Sequence, residues 1–356
     1  MGGRWWLVTA TLLGGLHGCG GGAATSDAGP PDAATDAGAP DAATEDAALR
    51  DAAADDAGGA LLPPEPSAGC GAGRARYGVG TTTGTVMHGA AARTFRVRVP
   101  PGYDDRVATP LVLMFHGGGG TGLQLEERSS RMSPVADREG FVVVYPDGTG
   151  RTWNAGGCCG PAARDAVDDV GFVGALLDHL EQELCIDRRR VFASGMSNGA
   201  MMSHRLACEA SDRIAAIAPV AGVEMSPTCA PARPVPVLQV HGTADGHVPW
   251  EGGVGCGLAG VAFTSVPATM EGWRLRNGCS STTSVVLEQG DGTCTGFDGC
   301  PIAGETVLCA IASGGHSWPG GVPREGVVDC PEDGAQSTTF LASEQIWAFF
   351  SRHARP

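Results

Sequence analysis

Basic residues are scarce in this chain of 356 residues: 24 Lys and Arg stand against 39 Asp and Glu, for a formal net charge of −15, and no run of cations is longer than the three arginines Arg188–Arg190. A protein that neutralises nucleic-acid phosphates needs a larger cluster, so nucleic acid is not expected as a partner. No apolar run reaches the roughly 18 residues needed to cross a bilayer, which excludes a spanning helix. No C-x₂-C pair has a matching second pair, so a structural zinc site is not expected. Internal repeats are absent, and no second folded domain is visible. With 42% hydrophobic residues, the chain has enough apolar material for one large domain and an appendage.

The appendage is N-terminal. Residues 1–19 carry Arg4, then the short apolar runs Trp5-Trp6-Leu7-Val8 and Leu12-Leu13, and end in Leu16-His17-Gly18-Cys19. This has the build of an export signal. Its end resembles a bacterial lipobox, which implies that Cys19 is lipidated after cleavage. His17 departs from that pattern, so an ordinary secreted protein stays open as the alternative. Residues 20–66 read as a disordered tether rich in Ala, Asp, Pro and Gly. Between Ser26 and Gly59 nine acids face Arg50 alone, and these supply −8 of the net charge. Such a segment buries too little apolar surface to fold, and its like charges keep it extended. The low pI therefore says nothing about substrate. The expected location is extracellular or anchored at the outer membrane, with the membrane touched only through Cys19.

Thirteen cysteines minus Cys19 leave twelve. An even number in an exported chain argues for disulfides, whose connectivity the sequence does not give. Cys158 and Cys159 are adjacent and are expected to bond to different partners.

Chemistry concentrates in Gly195-Met196-Ser197-Asn198-Gly199, a G-x-S-x-G placed after the apolar run Arg190–Ser194 and before a helical stretch. A serine nucleophile on a sharp strand-to-helix turn needs small neighbours at minus two and plus two. The other members follow in the order acid, then histidine. Strand Pro236–Val240 runs into His241-Gly242-Thr243-Ala244-Asp245, and strand Thr306–Ile311 runs into Gly314-Gly315-His316. In this arrangement His316 takes the Ser197 proton, and Asp245 fixes the imidazole tautomer. His247, two residues after the acid, is poorly placed to reach Ser197. Upstream, Leu111–Phe115 ends in His116-Gly117-Gly118-Gly119-Gly120, a glycine loop suited to forming an oxyanion hole. Gly118 and Asn198 are the expected amide donors, and His116 reads as a hydrogen-bonded structural histidine. Trp153 and Trp318 adjoin motif loops and are candidates for a substrate subsite, with packing beneath those loops as the alternative; Trp250 is the weaker candidate. The chemistry needs no metal and no cofactor.

Strand-like runs at 94–99, 111–116, 141–146, 190–196, 214–220, 236–241, 283–288 and 306–312 alternate with helical patterns at 168–184 and 338–351. In the first helix Val173, Leu176, Leu177, Leu180 and Leu184 form one stripe, opened by Asp168 and Asp169 as caps. The second presents Phe340, Leu341, Ile346, Trp347 and Phe350. This alternation predicts an α/β fold, a mostly parallel central sheet with helices on both faces, stapled by disulfides in 67–356.

From about Thr85 to His353 the chain resembles the secreted esterases of the polyhydroxybutyrate-depolymerase and feruloyl-esterase type, in the α/β-hydrolase superfamily. The marks are His116-Gly117-Gly118, Trp153–Cys159, Val167–Phe172, Gly195–Met202, His241–Asp245 and Gly314–Gly320. The resemblance implies a Ser197–Asp245–His316 triad and hydrolysis of polymer-borne esters: feruloyl or acetyl groups on polysaccharide, or polyhydroxyalkanoate chains. The Gly/Cys-rich stretch Asp291–Cys300 departs from the family pattern and is expected to reshape the pocket rim near His316. An inactive lipid-anchored binding protein on the same scaffold and a peptidase stay open as other classes. A monomer is expected.

Overall fold

The computed structural model of the protein describes residues 62–73, 76–257, 259–323 and 330–356. The export signal, Cys19 and the tether up to residue 61 lie outside the described residues. Glu65 and Pro66, assigned to the tether on sequence, already pack on the folded body: Glu65 N–H donates to Asp187 Oδ1 at 3.0 Å, and Pro66 bridges Asp187.

In chain order the strands are β1 (Gly80–His88), β2 (Ala91–Val99), β3 (Thr109–Phe115), β4 (Val142–Pro146), β5 (Ile186–Met196), β6 (Ala216–Val220), β7 (Val237–Gly242), β8 (Gly253–Val254), β9 (Ala262–Phe263), β10 (Thr283–Gln289), β11 (Gly292–Phe297) and β12 (Thr306–Ile311). Ten of them form one sheet in the order β1-β2-β4-β3-β5-β6-β7-β12-β11-β10, while β8 and β9 pair separately. The six strands from β4 to β12 in that order run parallel, and both ends of the sheet are finished by antiparallel strands. This is the expected α/β-hydrolase architecture. Strands β4, β6 and β7 are buried along their whole length, as a parallel sheet covered on both faces requires.

The two faces share β3 by strict alternation. Leu111, Leu113 and Phe115 join the helix stripe of Val173, Leu176, Leu177 and Leu180 in one core, while Val112 and Met114 join Ile346, Phe349 and Phe350 in the other. Each fully buried large side chain in these layers contributes about 1.5–3 kcal/mol before the cost of ordering it. The first helix spans Asp169–Glu183, and Asp168 caps it by accepting from Gly171 N–H. Asp169 is more than a cap. It is fully buried and binds Arg93 at 2.8 Å and Asn154 N–H at 2.8 Å. The last helix is shorter than expected, Ala342–Phe350, and Leu341 at its start is exposed because it lies outside the helical turn that faces the core.

All twelve remaining cysteines pair: Cys70–Cys185, Cys158–Cys159, Cys208–Cys229, Cys256–Cys330, Cys279–Cys300 and Cys294–Cys309. The expectation that Cys158 and Cys159 bond elsewhere is overturned, since the two neighbours bond to each other. The stretch Asp291–Cys300 is also corrected. Rather than a rim insertion, it is β11, the middle strand of the antiparallel edge, with Cys294 bonded to its register partner Cys309 on β12. Only its first residue reaches the carboxyl edge, where Asp291 accepts from Ser337 Oγ and Thr339 Oγ1. Among the described residues no helix is long and apolar enough to cross a membrane.

Candidate active site

Strand β5 ends at Met196, and a helix begins at Asn198 and runs to Glu209. Ser197 sits alone between them with φ 57° and ψ −123°, a strained conformation for a residue with a side chain. The turn is so tight that its flanking positions have no room. A Cβ on Gly195 would lie 2.5 Å from the Phe115 carbonyl oxygen, and one on Gly199 would run into the carbonyls of both Phe115 and His116. The G-x-S-x-G spacing is thus a packing requirement of the β3–β5 contact. Ser197 itself is half-buried.

The glycine loop after β3 passes over this turn. A Cβ on Gly117 would stand 3.4 Å from Ser197 Cβ, and one on Gly118 would stand 3.9 Å from Asn198 Cβ. His116 governs how the loop is presented. Its Nε2 accepts from Gly148 N–H at 2.9 Å, which leaves the proton on Nδ1 to donate to Gly117 O at 2.8 Å. Burial lowers its pKa and keeps the ring neutral. Gly117 O also accepts from Gly120 N–H at 2.9 Å. With that carbonyl held twice, the trans peptide turns the Gly118 N–H to the opposite side, and among the described residues no loop or turn hydrogen bond consumes it. Asn198 N–H belongs to the first helical turn, which lacks intrahelical acceptors.

The sheet order β5-β6-β7-β12 is parallel throughout, so the residues that follow β5, β7 and β12 all leave the same edge. Those residues are Ser197, Asp245 and His316. Asp245 is 4% exposed, and its Oδ1 accepts from His247 N–H at 2.9 Å and Val248 N–H at 2.8 Å. Its Oδ2 receives His316 Nδ1–H at 2.9 Å. Burial alone would raise the Asp245 pKa, but the His316 charge and hydrogen bonds from His241 and His316 outweigh it and hold the carboxyl well below the usual range. The His316 ring stacks on His247 with centroids 4.6 Å apart. Asp333 buttresses both loops: its Oδ1 accepts from His316 N–H at 2.8 Å and from Gly246 N–H at 3.0 Å.

For both Trp153 and Trp318 the structure favours packing beneath the loops. Trp153 is fully buried, donates Nε1–H to His116 O at 3.0 Å and packs edge-on against Phe115. Trp318 is 2% exposed and donates to Ser343 Oγ at 3.1 Å. Both rings pack beneath their loops and offer no face to a substrate. Trp250 is the one of the three with exposed surface, and it lies edge-on to His241 at 6.2 Å. Sequence reasoning also missed the Asn198 side chain, which clamps both backbone groups of Trp153: Oδ1 accepts from its N–H at 2.7 Å and Nδ2 donates to its carbonyl at 2.9 Å. A polar residue of ideal reach directly after the nucleophile was the available signal.

Among the described residues three groups of His, Cys, Asp or Glu come close enough to share a cation. Two depend on sulfurs already committed to the Cys256–Cys330 and Cys208–Cys229 disulfides, which are not thiolate ligands. The third is Asp245, His247 and His316, in which Asp245 and His316 already bond to each other.

The chain is similar to known proteins. Residues 94–245 match the family described as esterase PHB depolymerase. Feruloyl esterase B of Piromyces equi is 31% identical over 232 residues, which cover 62% of this chain and only 42% of that protein. The NocK esterase-type protein of Nocardia uniformis subsp. tsuyamanensis is 31% identical over 258 residues, covering 68% of this chain and 75% of its own length. Among solved structures, acetyl xylan esterase from Aspergillus awamori superposes with a TM-score of 0.53 at 15% identity, over 76% of this chain and 99% of that one. The last likeness establishes the shared fold.

Proposed function

The chain belongs to the esterase PHB depolymerase family, and from that premise we propose that it is an exported serine carboxylic-ester hydrolase acting on polymer-borne esters through Ser197, Asp245 and His316. The observation that carries this reading is the Asp245–His316 bond on the sheet edge that also presents the strained Ser197. With Nδ1–H given to Asp245, Nε2 is the nitrogen of His316 that acts as the base. It takes the Ser197 proton as Oγ attacks the ester carbonyl. The developing oxyanion is met by the amides of Gly118 and Asn198. Collapse releases the alcohol with the proton from His316, and water activated by the same ring clears the acyl-enzyme.

Similarity to feruloyl esterase B supports polysaccharide-borne feruloyl or acetyl groups as the substrate class, and the family as a whole keeps polyhydroxybutyrate as the second. Export is supported by the six paired disulfides; lipidation of Cys19 would hold the domain at the membrane by its tether. The full chain should be assayed on methyl ferulate, acetylated xylan, a short-chain p-nitrophenyl ester and a polyhydroxybutyrate suspension, with Ser197→Ala as the blank. Turnover that falls about 10⁴-fold or more in Ser197→Ala is expected, with ferulate or xylan preferred. Turnover that survives in Ser197→Ala refutes the mechanism, and release of hydroxybutyrate alone replaces the substrate.

A further inference from the structure

Behind Asp245 lies a line of buried polar side chains that the triad chemistry does not use. Trp273 Nε1–H donates to His204 Nδ1 at 3.0 Å. His204 Nε2 meets Gln239 Oε1 at 3.1 Å. Gln239 Nε2 reaches Gly222 O at 2.8 Å and His241 Nδ1 at 3.2 Å. His241 Nε2 then faces Val248 O at 2.9 Å and Asp245 Oδ2 at 3.3 Å. Trp273, His204 and Gln239 have no exposure, and His241 has 1%.

The direction of every bond in this line is forced. An indole N–H only donates, so His204 Nδ1 must be an acceptor and its proton must sit on Nε2. That proton requires the Gln239 oxygen to face His204. The same amide orientation is imposed independently by the Gly222 carbonyl, which needs a donor. The Gln239 NH₂ therefore donates to His241 Nδ1, and His241 must carry its proton on Nε2, where only acceptors face it. Burial pushes the His204 pKa down to about 3, so the ring stays neutral and keeps this tautomer.

We propose that His241 is a positioning residue for the catalytic carboxylate: the directed chain Trp273–His204–Gln239 fixes its proton on Nε2, where the N–H bonds Val248 O and stands 3.3 Å from Asp245 Oδ2. Oδ2 thus lies between two imidazole donors, His241 on the inner side and His316 on the outer. Val248 serves both ends, its carbonyl accepting from His241 and its N–H donating to Asp245 Oδ1. A carboxylate held in this way keeps its outer lone pair on His316 through the reaction cycle, and Asp245 stays the acceptor when His316 becomes an imidazolium. The inference rests on the triad reading above.

The test combines kinetics with a tautomer measurement on the full chain. His241→Phe keeps a ring and removes the donor; His241→Gln keeps both an acceptor and a donor. His241→Phe should lower kcat by about tenfold to a hundredfold, the worth of one hydrogen bond to a charged group, with KM within about twofold. His241→Gln should recover most of that loss. In the wild type, imidazole ¹⁵N spectra should show His204 neutral with its proton on Nε2, and Trp273→Phe should release it into a mixture of tautomers. Unchanged kcat in His241→Phe, or no recovery in His241→Gln, overturns the proposal. A His204 proton on Nδ1 overturns it too, even where His241→Phe does not fold. A fluorophosphonate separates the two levels. If the wild type is not inactivated, the triad reading itself falls; if it is inactivated and His241→Phe retains full kcat, only the relay falls.

Discussion

Replacing His116 with phenylalanine keeps a planar ring in its place and removes both hydrogen bonds made by the imidazole, to Gly148 N–H and to Gly117 O. Gly148 N–H, which His116 Nε2 accepts at 2.9 Å, is left without its partner in a part-buried setting, at a cost of about 1–3 kcal/mol. Gly117 O loses the Nδ1–H donor but keeps Gly120 N–H, which costs about 0.5–1.5 kcal/mol more. The folded state should therefore lose about 1.5–4.5 kcal/mol, a fall in Tm of roughly 3–10 °C for a domain of this size. The effect on catalysis is separate. With one of its two tethers gone, the 117–118 peptide rocks, and the Gly118 N–H no longer points steadily at the oxyanion. Outright removal of an oxyanion donor costs about 10²–10³ in kcat, so a donor that is misaimed but present should cost about tenfold to a hundredfold. A thermal melt and kcat on a short-chain ester measure both quantities. A fall in Tm with kcat unchanged would show that His116 holds the loop together without aiming Gly118, and would refute the reasoning.

Three further outcomes follow from the same geometry. Unfolded His204 takes up a proton near pH 6.5, while the folded ring stays neutral down to about 3. Stability should therefore be full above pH 6.5 and fall by up to ~1.4 kcal/mol per pH unit below it; urea midpoints at pH 7 and pH 4.5 read this slope, and a flat result contradicts burial of a neutral ring. Gly199→Ala drives a Cβ into the carbonyls of Phe115 and His116. It should cost about 1–3 kcal/mol and drop kcat at least a hundredfold as the turn opens, by urea titration and ester turnover. Asp333→Leu removes the acceptor shared by the backbones of His316 and Gly246. It should lower kcat about tenfold, and Asp333→Asn, which keeps an acceptor oxygen, should restore it; equal loss in both variants would assign the effect to charge instead.

Much of this molecule was legible because its chemistry is local. The strained serine needs glycines at two fixed offsets, and the six parallel strands are buried apolar runs that announce themselves. The antiparallel edges were harder to read. β1 is rich in Thr and Gly with few buried positions, and β11 looks like an insertion because only three of its residues, Gly292, Cys294 and Gly296, are buried. Cysteine pairing and tryptophan burial depend on contacts between distant segments, which no spacing encodes. Trp153 shows this, since a loop-side indole invited the opposite reading; Cys158–Cys159 is the reverse case, a bond between neighbours where distant partners were expected. The relay behind Asp245 had a faint sign in Gln239, one polar residue inside the apolar strand Val237–Val240. Its partners His204 and Trp273 come from helices far away in sequence, so only the packed structure joins them.

The central claim is that Ser197 is a nucleophile activated by His316 and Asp245. Its most direct test is to incubate the full chain with a fluorophosphonate and locate the adduct by peptide mass. The account predicts stoichiometric labelling of Ser197, abolished in Ser197→Ala and slowed by orders of magnitude in His316→Ala and Asp245→Asn. Labelling at another serine, or an unlabelled Ser197 in folded protein, would contradict it.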